Sequence, residues 1–177
     1  MPTFNVPTRE EVSPANQAIF DNLEKGLGFV PNIYASFAHN ETALGDYLGF
    51  SNRKSTLKTK EKEVINLVAS QINSCNYCLS AHTAISKMNG FNEDQILDLR
   101  SGKIDGDEKL NALAALAQAI VINRGKTSPE LLDAFYAAGY DKSNLVDVII
   151  TIGEITITNL LHGVTQVPID FPLAPSL

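Results

Sequence analysis

The chain has 177 residues, 44% of them apolar, enough for one domain with a substantial core. Its formal charge is −6 and its 14 Lys and Arg are scattered, which argues against a nucleic-acid or anionic-membrane surface. Residues 1–10 show no basic start with an apolar run behind it, and no uncharged apolar run of about 18 residues follows, so neither a secretory signal nor a membrane span is expected.

The pattern along the chain is helical throughout. Pro2 to Pro14 is a polar lead-in punctuated by prolines. Ala15 to Lys25 predicts a helix that stops at Gly26 or Gly28. Val30-Pro31-Asn32 is a break, with Pro31 suited to a first helical turn. Ile33 to His39 and Leu44 to Arg53 read as short helices. Thr59 is a candidate N-cap, with Glu61 and Glu63 in the first turn and Val64, Leu67, Val68 and Ile72 following at helical spacing.

Asn73 or Ser74 is expected to cap the next helix, which runs through Ala81, Ala84, Ile85 and Met88 to Gly90. Asn92 and Gln95 form a capping-box pair before Ile96 and Leu99. Gly102 to Gly106 is a turn. Glu108 to Arg124 is amphipathic and ends at Gly125, and Ser128-Pro129-Glu130 opens a helix that ends at Gly139. Asp141 caps the last long helix. Val146, Ile149, Ile150, Gly153, Ile157, Leu160, Leu161 and Val164 recur there at threes and fours, which favours helix over strand. The tail from Pro168 is proline-rich and extended.

Cys75 and Cys78 are the only cysteines. A helix beginning there puts Cys75, Cys78 and His82 on one face, because the spacings are three and four. Only a thiolate is a good nucleophile, and a helix N-terminus or a neighbouring base lowers a thiol pKa. Two thiols three apart close a disulfide readily, so an oxidised sulfur is resolved by its neighbour. That is the logic of a thiol peroxidase or a disulfide oxidoreductase. The rival readings are a zinc site completed by His39 or His162, and a pair of inert buried cysteines. His162 and His39 otherwise read as histidines at helix ends.

Lys60-Glu61-Lys62-Glu63-Val64, then Cys75-x-x-Cys78-x-x-x-His82, then Gly90, resembles the alkylhydroperoxidase D-like branch of the carboxymuconolactone decarboxylase superfamily. Val30-Pro31-Asn32 and Asp170-Phe171-Pro172 resemble its peroxidase-related members. The resemblance implies an all-α, single-domain bundle of seven to eight helices, with residues 1–55 as an N-terminal extension, 56–100 as the dithiol core and 101–177 as C-terminal helices. It implies a cytoplasmic peroxidase that reduces organic hydroperoxides in antioxidant defence. Cys78 would be the peroxidatic thiol, Cys75 the resolving thiol, His82 the base that activates Cys78, and Glu63 the end of the proton relay.

It further implies no cofactor or metal, an external lipoyl-type or thioredoxin-like dithiol reductant, and a homo-oligomer, trimer or hexamer. Some members carry a histidine where this chain has Tyr77, so a simpler relay is expected. Two alternatives stand beside it. One is a decarboxylase-like enzyme in which His82 and Glu63 act as acid and base on a small lactone or keto acid. The other is a non-enzymatic redox-sensing oligomer.

Overall fold

The computed structural model describes residues 4–177, and the start of the lead-in, Pro2 included, lies outside the described residues. Among those residues there are nine α-helices and no strand, against the seven to eight helices expected. They are α1 (Pro14–Leu27), α2 (Asn32–Phe37), α3 (Ala43–Ser51), α4 (Thr59–Ile72), α5 (Asn76–Met88), α6 (Glu93–Arg100), α7 (Glu108–Ile122), α8 (Pro129–Ala137) and α9 (Lys142–Thr165). The all-α class is as the sequence implies.

The chain forms two compact units. The first comprises residues up to Lys54 together with Leu160–Asp170. Ser13 caps α1 by accepting from Asn16 N–H at 3.3 Å, and Gly28 closes it at φ 83°, a conformation that suits glycine. Phe20 packs with Val12, Ala35, Ala38 and Leu44. The Asn32 backbone N–H donates to Asp170 Oδ2 at 2.7 Å, and its side chain donates to the Pro168 carbonyl at 3.0 Å. The two outlying segments quoted for the resemblance therefore meet at Asn32 and Asp170.

The second unit comprises Ser55–Asn159 and Phe171–Leu177. Its centre is α4, where Val64, Ile65, Leu67, Val68 and Ala69 are fully buried. Leu113, Leu116 and Ala117 of α7, Ile96 and Leu99 of α6, and Phe135 of α8 close around it. Burial of each such leucine or isoleucine contributes roughly 1.5–3 kcal/mol. A helix enclosed on most sides carries its polar residues inward too. Glu61, Glu63, Asn66 and Ser70 are buried, and they make the site possible.

Two helix starts differ from expectation. Lys58, not Thr59, holds the N-cap of α4, because Glu61 reaches back to the Lys58 backbone N–H at 2.7 Å and fixes the turn one residue earlier. Cys75, not Asn73 or Ser74, caps α5. Asn73 closes α4, and Ser74 reverses the chain at φ 54°.

Helix α9 has the length and apolarity to cross a membrane, which no run in the sequence was expected to have. Asp147 and Glu154 interrupt it, and Asp147, Thr151, Thr158 and Asn159 are buried. Asp147 accepts from the Thr56 backbone N–H at 2.6 Å and from its hydroxyl at 2.7 Å. Those inward polar groups are what a core helix has and a lipid-facing one avoids.

Candidate active site

The site is built where α4 hands over to α5. The link is short because Ser74 adopts a left-handed conformation rare for a non-glycine residue. The Cys75 N–H then donates to the Ser70 carbonyl at 3.0 Å. This sets Cys75 in the N-cap position, where a side chain normally accepts from the first turn. Its sulfur does so, taking the Cys78 backbone N–H at 3.3 Å.

Both cysteines are free and buried. Cys75 Sγ and Cys78 Sγ lie 2.7 Å apart, within hydrogen-bonding reach of each other, and Cys78 Sγ lies 3.7 Å from Thr158 Oγ1. The two sulfurs thus have different electrostatics. The Cys75 thiol is lowered to about 7, first by the Cys78 thiol and then, against the cost of burial, by the Cys78 and Tyr77 N–H groups and the Asn159 side chain. The Cys78 thiol is pushed up, first by its hydrogen bond with Cys75, then by burial and by the Cys75 charge. Cys75 is therefore the more readily ionised of the two thiols.

Glu63 is not a solvated first-turn charge. It points inward from α4, its side chain only 6% exposed, and accepts from His82 Nδ1 of α5 at 2.8 Å. Asn66 Nδ2 holds its other oxygen at 3.1 Å, and the Ser86 hydroxyl lies 3.5 Å from Oε2. Burial pushes the His82 pKa down, but the Glu63 carboxylate outweighs it, with Glu154 and Cys75 adding to the pull, so the net shift is upward. With Nδ1 committed to Glu63, Nε2 is the ring nitrogen left for proton transfer.

All four residues singled out in the sequence, Glu63, Cys75, Cys78 and His82, therefore belong to one unit and one electrostatic cluster. His39 and His162 lie in the other unit. The His39 ring nitrogen meets the Asn5 carbonyl at 2.8 Å, and buried His162 meets the Val167 carbonyl at 3.2 Å, with its pKa lowered by burial. Among the described residues no group of three or more His, Cys, Asp or Glu side chains is gathered to hold a metal ion.

The sequence reading missed what α9 supplies. Thr158 lies 3.7 Å from Cys78 Sγ, its neighbour Asn159 is tied to Ser70 and Asn73 of α4, and the Glu154 charge acts on His82. The available signal was a polar stripe, Asp147, Thr151 and Thr158, at whole-turn spacings inside a Val- and Ile-rich helix.

The sequence profile of the carboxymuconolactone decarboxylase family matches residues 39–120, a segment that holds all four residues of the cluster. That match covers somewhat under half of the chain. Solved structures share the fold. The chain superposes with TM-score 0.85 and 17% identity on an uncharacterized peroxidase-related protein with an alkylhydroperoxidase AhpD core from Ralstonia eutropha JMP134, covering 94% of this chain and 91% of the other. It superposes with TM-score 0.78 and 18% identity on the debrominase Bmp8, solved as a cysteine-to-alanine variant in complex with 2,3,4-tribromopyrrole, covering 96% and 92%. The uncharacterized protein YdfG of Bacillus subtilis (strain 168) is 26% identical over 111 residues, 60% of this chain and 74% of that protein. The family match stops well before Asn159, so the α9 contribution to the dithiol lies outside it.

Proposed function

We propose that this protein is a thiol-dependent peroxidase of the carboxymuconolactone decarboxylase superfamily, serving antioxidant defence and acting on organic hydroperoxides in the cytoplasm. One observation carries the reading: two reduced sulfurs lie 2.7 Å apart beside a histidine that a buried carboxylate makes more basic.

The cycle balances with these groups. The Cys78 proton moves to the Cys75 thiolate. The Cys78 sulfur attacks the distal peroxide oxygen, the O–O bond breaks, and Cys78 becomes a sulfenic acid. The departing alkoxide takes the proton back from Cys75 and leaves as the alcohol. The renewed Cys75 thiolate attacks the Cys78 sulfur, the S–S bond forms, and the S–O bond breaks. The leaving hydroxide takes a proton from the His82 imidazolium and departs as water. An external dithiol, lipoyl-type or thioredoxin-like, then reduces the disulfide by exchange. This keeps Cys78 as attacker and Cys75 as resolver, and it makes Cys75 rather than His82 the immediate acceptor of the Cys78 proton. A solvent-facing apolar row on α9 supports assembly into a homo-oligomer.

The deciding experiment adds one equivalent of an organic hydroperoxide to the reduced protein and follows disulfide closure by intact mass after thiol blocking. Closure far faster than that of a free small thiol is expected. Closure no faster removes the peroxidase reading. A brominated pyrrole run in parallel tests whether the dithiol takes the debrominase's class of substrate instead. The decarboxylase-like rival needs His82 and Glu63 but neither sulfur, so full activity on a lactone in a Cys75→Ser, Cys78→Ser protein would favour it.

A further inference from the structure

Four threonines lie on α9, and three of them, Thr151, Thr156 and Thr165, turn their hydroxyls back to the carbonyl four residues earlier, at 2.8, 2.6 and 2.7 Å. Thr158 differs. Its hydroxyl donates to the Ile155 carbonyl, three residues back, at 2.9 Å. That is the other bond open to a helical threonine, and it aims the oxygen differently. Thr158 Oγ1 lies 3.7 Å from Cys78 Sγ, within reach of a thiol donor. Both residues are buried. The next residue pins the helix at this height. Asn159 Nδ2 donates to Ser70 Oγ at 3.2 Å, and Asn73 Nδ2 donates to Asn159 Oδ1 at 2.9 Å. Ser70 is also the residue whose carbonyl accepts from Cys75 N–H. The hydroxyl is thus held at Cys78 by contacts outside the two sulfurs themselves.

We propose that Thr158 is a further catalytic residue of the dithiol: its hydroxyl accepts from the Cys78 thiol and, once that thiol has given up its proton, turns from Ile155 to donate to the Cys78 sulfur. This rests on reading Cys78 as the attacking thiol. A hydroxyl suits the role, because it carries one O–H that rotates and lone pairs that accept. Thr158 keeps its proton throughout, and only the partner of its O–H changes. The Ile155 carbonyl lies inside α9 and keeps its helical N–H when the hydroxyl leaves. The need comes from burial, which disfavours a thiolate at Cys78. The Cys78 N–H at the helix start does not meet it, since that group donates to Cys75 Sγ. Cys75 and burial push the Cys78 thiol up, and the Thr158 hydroxyl acts in the opposite sense. A donor already in contact with the sulfur needs one bond rotation to stabilise the charge, so little reorganisation opposes it.

The test is the rate at which iodoacetamide alkylates Cys78 in a Cys75→Ala protein, where it is the only thiol, measured across pH with no peroxide present. Below the thiol midpoint that rate follows the thiolate fraction. Thr158→Val keeps the branched shape and removes the hydroxyl. It is expected to slow alkylation roughly tenfold at each such pH, the size of one hydrogen bond to a charged acceptor less the Ile155 bond given up. Thr158→Ser is expected to restore most of the rate. The other titratable groups of the cluster, Glu63 of α4, His82 of α5 and Glu154 of α9, are the same in every variant. A structural role alone would shift the melting temperature and leave the rate–pH profile in place, and that result overturns the assignment. Should Thr158→Val not fold, the infrared S–H stretch of the Cys75→Ala protein decides. A band lowered as in a hydrogen-bonded thiol is expected, and a band at the frequency of a free thiol overturns the assignment. Because no step uses peroxide, a protein that fails as a peroxidase yet shows the slowed alkylation retains Thr158 as the donor to the Cys78 thiolate.

Discussion

Glu63 Oε2 stands 2.8 Å from His82 Nδ1 across the α4–α5 interface, although nineteen residues separate the two in sequence. The pair gives stability a sign with pH. The His82 pKa is raised above its ordinary value near 6.5, so its contribution is complete below that value and is lost as pH rises through the folded pKa. Glu63→Gln keeps the shape and removes the charge. It is expected to lower the His82 pKa in an NMR titration and to cost about 1–3 kcal/mol at mildly acid pH. The difference from the unmodified protein in urea unfolding should shrink as pH rises. Peroxide-driven disulfide closure should slow at least tenfold, a general acid–base effect of ordinary size.

The unequal thiols separate two properties usually found on one cysteine. Cys75 is the more readily ionised thiol, while Cys78 is proposed to attack. Iodoacetamide at neutral pH should therefore label Cys75 first, read by peptide mass. Cys78→Ser should abolish fast peroxide consumption while Cys75 alone remains. Cys75→Ser should relieve part of the rise in the Cys78 pKa, because two of its causes go with Cys75, but it removes the resolving thiol, so a Cys78 sulfenic acid should accumulate and be trapped by dimedone. A Cys78→Ser protein that keeps full single-turnover rate would move the attack to Cys75.

The rate of that first turnover should follow Cys75. With its thiol lowered to about 7, closure by hydroperoxide is expected to be half-maximal close to that pH and to rise with the thiolate fraction above it. A profile with its midpoint in the ordinary thiol range would mean that the Cys78 hydrogen bond does not hold in solution.

Local chemistry made much of this legible. The capping box of Asn92 and Gln95, the Ser128-Pro129 start, the Asp141 cap and the helical dithiol segment all rest on interactions within four residues, and the structure has each of them. The cap of α5 was misplaced because Asn and Ser are the usual capping residues and a cysteine sulfur is not. The inward turn of Glu63 could not be read from its own helix, since a glutamate near a helix start is commonly a solvated charge that complements the dipole. Asn159 was out of reach for the same reason. It is eighty-nine residues from Ser70, and nothing in its own segment says what it faces.

The C-terminal tail is held by a buried cation. Arg100 Nη1 donates to the Pro175 carbonyl at 2.6 Å and its Nε to Gln71 Oε1 at 2.9 Å. Upstream, Phe171 sets its ring edge-on to Tyr77, the residue between the cysteines, and Ala174 N–H donates to Ser80 Oγ at 3.1 Å. The tail therefore braces the dithiol helix at Tyr77 and Ser80. Arg100→Ala strands two part-buried acceptors and should cost about 1–2 kcal/mol in urea unfolding. Limited proteolysis should then clip beyond Asp170 in the variant and not in the unmodified protein.

The outward side of α9 carries the last prediction. Val146, Ile149, Ile157, Leu160 and Val164 are exposed, Leu160 at 65% and Val164 at 84%, and with Gly153 they follow one another at threes and fours along the helix. A continuous apolar row on a helix whose other side is packed marks a contact surface rather than scattered surface leucines. In the homo-oligomer proposed above it would be the contact between copies of this chain. Burying two such side chains contributes roughly 1.5–3 kcal/mol each, so Ile149→Glu with Leu160→Glu should weaken association by about a hundredfold or more. Light scattering should report a multiple of the chain mass for the unmodified protein and the monomer mass for the double variant. An unmodified protein that is monomeric at high concentration would remove the assignment, and α9 would then face a different partner.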